Sequence, residues 1–359
     1  MAMNGLGAHP RAQVVGTGLV GGSLGLALRR RGWMVTGFDA DPSHSARAVE
    51  LGALDFEGYD LDADVVFVAT PAGGIVEEAR RALRGRAVVT DVAGVKDAIV
   101  AAVGHPRFVG GHPMAGSEQE GVDGADPDLF VGATWVLTPT EVTDPDAYAL
   151  VAGVVGLLGA TAVALPPRRH DDLVAMVSHV PHLTATSLMN LAANASVEHG
   201  TLLRLAAGGF RDMTRIAAGH PGIWPDICVD NREGILEALD GLTEALAHVR
   251  KLVVDGDREG LLTWLESARE ARVNLPSAGL AAGESIELRI PVPDRPGVFA
   301  EVTTVLGEMG VNIYDMEIAH SVEGDSGVLV LVIAASALDA VRGVLNERQF
   351  RVSHRRLGP

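Results

Sequence analysis

From Ala12 onward, short runs rich in β-branched residues alternate with amphipathic stretches. QVVG (13–16), MVTGFD (34–39), VVFVAT (65–70) and AVVTDV (87–92) are apolar over most of their length, which predicts strands buried on both faces. Between them, LGLALRRRG (24–32), SARAVELG (45–52), IVEEARRAL (75–83) and KDAIVAAV (96–103) carry apolar residues at helical spacing. Strands and helices alternating at this length predict an α/β, Rossmann-type doubly wound parallel sheet. FVGGHP (108–113) and ATWVLTP (133–139) extend it, a helix is expected near 145–159, and TAVALP (161–166) reads as the last strand. A first domain spans 1–167.

The texture changes after Pro166 and Pro167. Leu- and Ala-rich periodic segments such as 171–195 and 230–254 replace the strands and predict an all-helical domain over 168–275. Its helices are unusually apolar, which suits burial against a second copy. NLPSAGLAAGE (274–284) reads as a linker. Beyond it the order is strand (285–293), helix (298–310), strand (311–321), strand (327–334), helix (337–347) and strand (350–356), a βαββαβ unit over 284–359.

Charge and composition narrow the partners. The 359 residues hold 29 Lys and Arg against 46 Asp and Glu, a net charge of -17, which excludes a general nucleic-acid or membrane-surface binder. Lys96 and Lys251 are the only lysines, so nearly all positive charge is arginine, whose planar fork suits carboxylates. The one cysteine, Cys228, excludes an intramolecular disulfide framework. No apolar run reaches the roughly 18 residues that span a bilayer, and no signal peptide is evident, so a cytoplasmic location is expected.

Four segments carry candidate chemistry. Gly16-Thr17-Gly18-Leu19-Val20-Gly21 follows a strand and opens a helix, the context in which backbone N–H groups meet a pyrophosphate. Asp39, eighteen residues past Gly21, would accept hydrogen bonds from a ribose and repel a 2′-phosphate, favouring NAD over NADP. GGHPMAGSEQEG (110–121) offers His112, which when neutral can act as a general base. SHVPH (178–182) sets His179 and His182 three apart on a helix; with no third ligand at suitable spacing, no metal is expected. GGFRDMTRIA (208–217) places Arg211 and Arg215 at i,i+4, either a solvated face or a carboxylate clamp.

Taken in order, GTGLVGGSLGLAL (16–28), TDVAGVK (90–96), GGHPMAGSE (110–118), VSHVPH (177–182), GGFRDMTRIA (208–217) and DRPGVFAEVTTVLGEMGVNI (294–313) resemble the prephenate/arogenate dehydrogenase family in the form that carries a C-terminal ACT domain. The resemblance covers nearly the whole chain. It implies a homodimeric enzyme that uses NAD to oxidise and decarboxylate prephenate to 4-hydroxyphenylpyruvate on the route to tyrosine, and tyrosine itself as effector of the ACT domain.

By the same resemblance His112 is the base that takes the proton of the ring hydroxyl. Arg215, Arg211, His182, Ser178 and Glu118 bind the substrate, and Trp224 stands near them. Gly16 to Gly21, Asp39 and Thr70 hold the cofactor, and Asn312 touches the effector. One departure stands out: the family often has a hydroxyl residue where this chain has Gly94. Lys96 reads as the opening of a helix.

Arogenate, with an amino group in place of the side-chain keto group, is the alternative substrate. A non-catalytic NAD and amino-acid sensor would not need His112, His182 and Arg215 together. Another hydroxyacid dehydrogenase would need a catalytic lysine, and the helical region offers only Lys251.

Overall fold

The computed structural model describes residues 9–117, 119–219, 221–274, 285–293, 295–320 and 326–357. Most of the expected linker, together with Glu118, lies outside them. The chain divides into two compact units, 1–246 and 247–359.

The first unit opens with β1 (Arg11–Val15), α1 (Leu19–Arg29), β2 (Met34–Phe38), α2 (Pro42–Glu50), β3 (Phe56–Glu57), β4 (Val65–Val68), α3 (Ala72–Ala82), β5 (Val88–Asp91), α4 (Asp97–Val103) and β6 (Phe108–Pro113). β7 (Thr134–Thr138), α5 (Pro145–Leu157) and β8 (Thr161–Ala164) follow. These eight strands form one sheet in the order β3-β2-β1-β4-β5-β6-β7-β8. Alternation along β4 supplies both faces. Val65 and Phe67 pack with Leu24 and Leu28 of α1 and Val151 and Val154 of α5, while Val66 and Val68 pack with Ile75 of α3 and Ile99 of α4. Each such side chain, withdrawn from water, contributes about 1.5–3 kcal/mol.

The sheet departs from the all-parallel expectation at one pair, because β7 runs antiparallel to β6. A parallel return needs a crossover of a dozen or more residues, usually helical. Between Pro113 and Thr134 the described chain makes only a three-residue 3₁₀ turn, Val122–Gly124, and so it doubles back.

Helices follow in the same unit: α6 (Pro167–Val174), a π-helical turn (Ala175–His179), α7 (Val180–Glu198), α8 (Gly208–Thr214), a 3₁₀ turn (Arg215–Ala218), α9 (Trp224–Asp230) and α10 (Arg232–Asp255), whose last turns belong to the second unit. Pro181 accounts for the π turn. Lacking an N–H, it cannot close an α-helical bond to the carbonyl four residues back, and the backbone widens before it.

The second unit contains α11 (Arg258–Val273), then β9 (Ser285–Pro293), α12 (Val298–Glu308), β10 (Asp315–His320), β11 (Ser326–Ala334), α13 (Leu338–Glu347) and β12 (Ser353–Leu357). Its sheet is antiparallel throughout, in the order β10-β11-β9-β12. Ile286, Leu288 and Ile290 of β9 pack against Val302 and Leu306 of α12 and Val341 and Leu345 of α13, which gives the βαββαβ expectation a single core. Among the described residues no helix is long and apolar enough to cross a membrane.

Candidate functional site

The chain order changes direction between β1 and β4, which lie side by side in the sheet, and ligands of open α/β sheets bind at the carboxyl ends of strands at such a point. The candidate residues of the nucleotide-binding region gather along that edge. Gly16 to Gly21 follow β1, Asp39 follows β2, Thr70 follows β4 and His112 lies near the end of β6.

The loop after β1 needs its glycines. Gly16 has φ +91°, and a Cβ there would sit 2.6 Å from the Ala69 carbonyl oxygen. A Cβ on Gly21 would meet the Gly16 oxygen at 1.9 Å. Gly18 differs, with nothing within 4 Å of its Cβ position, so a ligand can come close to this backbone. Gly18 caps α1 with no side-chain hydrogen bond, which leaves the first turn open to an anion.

Asp39 is turned toward this loop. Its Oδ2 accepts from the Thr17 backbone N–H at 2.7 Å, its Oδ1 from the Asp41 N–H at 3.0 Å, and His44 Nδ1 lies 3.4 Å from Oδ1. Capping of α2 falls to Asp41, whose side chain accepts from Ser43 N–H, so Asp39 is spared for another role. Arg47 of α2 is tied to Asp123 and Glu50. The buried Thr70 Oγ1 has no hydrogen-bond partner among the described residues. An uncapped helix start, an oriented carboxylate and an orphaned hydroxyl fit a dinucleotide with a free ribose 2′-hydroxyl.

His112 is half-buried, and its ring is held from behind. His112 Nδ1 and His170 Nε2 lie 2.8 Å apart, and His170 Nδ1 lies 2.7 Å from Asp171 Oδ1. Asp171 also accepts from two backbone N–H groups, Lys96 at 2.8 Å and Asp97 at 2.9 Å, which fastens α6 to the start of α4. On the other side, the two atoms within 4 Å of a Cβ built on Gly94 are His112 Nε2 and Cε1.

Beneath His112, the fully buried Lys96 ammonium donates to Asp91 and to the Gly111 carbonyl, and Asp91 accepts from the Gly111 N–H at 3.0 Å. Lys96 does open α4, as expected, and it also clamps the backbone that presents His112. Withdrawal from water holds the His112 pKa well below its ordinary value, with help from His170, Lys96 and His179, so the ring is neutral at physiological pH.

The network continues into the helices. Buried Asn231 donates through Nδ2 to the Asp171 carbonyl at 2.7 Å and to His179 Nδ1 at 3.2 Å. His179 meets Trp224 edge-on with centroids 6.2 Å apart, and the other side of the cluster is a stack of His182 on Trp224 at 3.6 Å and 9°. Burial lowers the pKa of His179 to about 4, and it lowers that of His182 as well. Ser178, half-buried, occupies the π turn beside His179. Arg211 and Arg215 are exposed, at the end of α8 and the start of the following 3₁₀ turn, and that turn packs on α7 with Gly219 close to His182.

The structure therefore brings His112, His179, His182 and Trp224 into one network of contacts, and adds His170, Asp171, Asn231 and Asp91, to which the sequence reading gave no role, and Lys96, which it read only as a helix start. The available signals were the adjacent His-Asp pair at 170–171 and a lysine standing nearly alone in a chain of arginines. Asn312 lies in the second unit, exposed between α12 and β10.

Family models described as "Prephenate dehydrogenase, nucleotide-binding domain" and "Prephenate dehydrogenase, dimerization domain" match residues 24–164 and 166–267, and one described as "ACT domain" matches 286–348. The chain is 32% identical to the prephenate dehydrogenase of Bacillus subtilis over 88% of its own length and 90% of that protein's. It is 30% identical to the cyclohexadienyl dehydrogenase of Zymomonas mobilis, covering 73% of this chain and 94% of that one. Among solved structures, prephenate dehydrogenase from Aquifex aeolicus in complex with hydroxyphenyl propionate and NAD+ superposes with a TM-score of 0.71 at 32% identity, over 75% of this chain and 99% of that one. Synechocystis arogenate dehydrogenase gives 0.65 at 33% identity, over 73% and 98%.

Proposed function

The chain belongs to the prephenate dehydrogenase family, and we propose that it converts prephenate to 4-hydroxyphenylpyruvate in tyrosine biosynthesis, with His112 as the general base. The observation that carries this reading is the placing of His112: neutral, backed by His170, and open at Nε2 toward the space beside Gly94. NAD, when bound, supplies the acceptor for the hydride that leaves C4 of the ring. Gly16, Thr17, Gly18, Leu19, Val20, Gly21, Asp39 and Thr70 would hold it.

His112 Nε2 takes the ring hydroxyl's proton as the carbonyl forms, and the following loss of CO2 restores aromaticity. Arg215, with Arg211, would bind the substrate carboxylates through charge-assisted bonds, and His182, Ser178 and Glu118 would line the pocket. His112→Asn should lower kcat by about 10²–10⁴ with NAD affinity kept, the range for loss of a general base. Arg215→Ala should chiefly raise KM. NADH formation with prephenate and with arogenate at matched concentration tests the substrate, since turnover of arogenate alone would overturn the assignment.

The functional domains would be 1–167 for the cofactor, 168–275 for substrate and dimerisation, and 284–359 for regulation, in a cytoplasmic homodimer. Exposed Leu191, Val197, Leu205 and Val229 supply apolar surface for a second copy. Tyrosine would act through the ACT domain at Asn312. Titrating the full chain with tyrosine, with and without Asn312→Ala, tests this, and equal inhibition would remove Asn312 from the effector site.

A further inference from the structure

Asp171 accepts three N–H donors, two of them backbone amides, and the third is His170 Nδ1. Hydrogen-bond geometry then dictates the protons of both rings. With its Nδ1 donating, a neutral His170 has a bare Nε2, which can only accept from His112 Nδ1 at 2.8 Å. His112 is thereby left with its lone pair at Nε2, the nitrogen nearest Gly94. With one more proton, two arrangements satisfy the same contacts: His112 protonated on both nitrogens, or His170 protonated on both and His112 protonated at Nε2 alone. Both follow from the gain of one proton at Nε2, and they differ only in whether the shared proton sits on His112 Nδ1 or on His170 Nε2.

We propose that His170 and Asp171 form a proton relay behind His112, so that the positive charge gained with the substrate's proton rests on His170 against the Asp171 carboxylate. The inference rests on the reading of His112 as the base. As the hydride leaves C4 for the nicotinamide, the O–H bond breaks, its electron pair forms the C4 carbonyl, and the proton goes to His112 Nε2. The Nδ1 proton of His112 passes to His170 Nε2. When the bond to the carboxylate carbon breaks and CO2 departs, that electron pair makes the ring aromatic and the carbonyl pair returns to oxygen. The phenolate oxygen then takes back the proton from Nε2 and the relay runs in reverse.

His170 is a positioning residue in this scheme, since it touches neither substrate nor cofactor. The charged and titratable groups around the two rings are Lys96 paired with Asp91, His179, and Asp171 itself. Lys96 disfavours a lasting positive charge on His112, whereas a charge on His170 faces a carboxylate.

Long-range proton–nitrogen correlation spectra of the full-length protein labelled at histidine test the relay directly. The expected wild-type result is a neutral His112 protonated at Nδ1, the less common tautomer. In His170→Gln, the side-chain oxygen can still accept from His112 Nδ1, so that tautomer should persist, while kcat with prephenate should fall by about 10–100-fold with KM nearly unchanged. His170→Leu should lose both the tautomer and the rate. A wild-type His112 protonated at Nε2, or full turnover in His170→Gln, would overturn the relay. Failure of the base reading looks different: His112→Asn would then keep its turnover, whatever the spectra show.

Discussion

Gly94 stands directly beside His112: a Cβ built on it would lie 3.8 Å from His112 Nε2 and 3.9 Å from Cε1, ordinary contact distances. A serine would fit there without moving the ring, and its hydroxyl could donate to the Nε2 lone pair. Such a bond favours the neutral imidazole. Gly94→Ser is expected to fold as the wild type and to shift the acid limb of the kcat/KM profile to lower pH, readable from initial rates between pH 4 and 8.

Lys96 and Asp91 are both fully buried, so each neutralises a charge that water cannot reach. Removing one partner strands the other, which costs about 3–5 kcal/mol. Lys96→Met should show that loss in urea unfolding. It should also raise the pKa of His112, because a nearby positive charge is gone.

Asp39 accepts from the Thr17 amide, and in the proposed function it meets the cofactor's ribose. Asp39→Asn keeps the shape and removes the charge that repels a 2′-phosphate. The ratio of kcat/KM for NAD over NADP is expected to fall about tenfold, equivalent to 1.4 kcal/mol. An unchanged ratio would place cofactor choice elsewhere.

Acid should destabilise the fold through its buried imidazoles. His179 titrates near 6.5 when unfolded and at about 4 when folded, chiefly because burial disfavours the charged ring. Between those values the unfolded chain holds more protons, so stability rises with pH across that window and is lost as pH falls through it. Tm is expected to drop between pH 7 and pH 5, and to drop less in His179→Asn. A slope identical to wild type would assign the effect to other groups.

The strand, turn and helix around the glycine loop were legible because these parts are close in sequence: the loop, its strand and Asp39 fall within 13–39 and carry their own turn chemistry. The relay was not, since His112 and His170 are 58 residues apart and nothing local ties them. Ser178 and His182 were named from their motif, but their angular relation depends on the π turn. Pro181 within a helical pattern was the visible hint of it, and proline there can equally kink or end a helix. The antiparallel β7 was readable in principle, from the lack of any helical periodicity between 114 and 133.

The π turn also sets an angular phase between two groups on what is otherwise a continuous helical run. An α-helix advances about 100° per residue. Deleting one residue from 175–179 would return the run to plain α-helix and rotate His170 and Asp171 by roughly that angle about the axis relative to His182. The dyad that backs His112 and the ring that stacks on Trp224 would then no longer face a common centre. A shortened turn should leave a well-folded helix whose two ends serve different sides of the molecule.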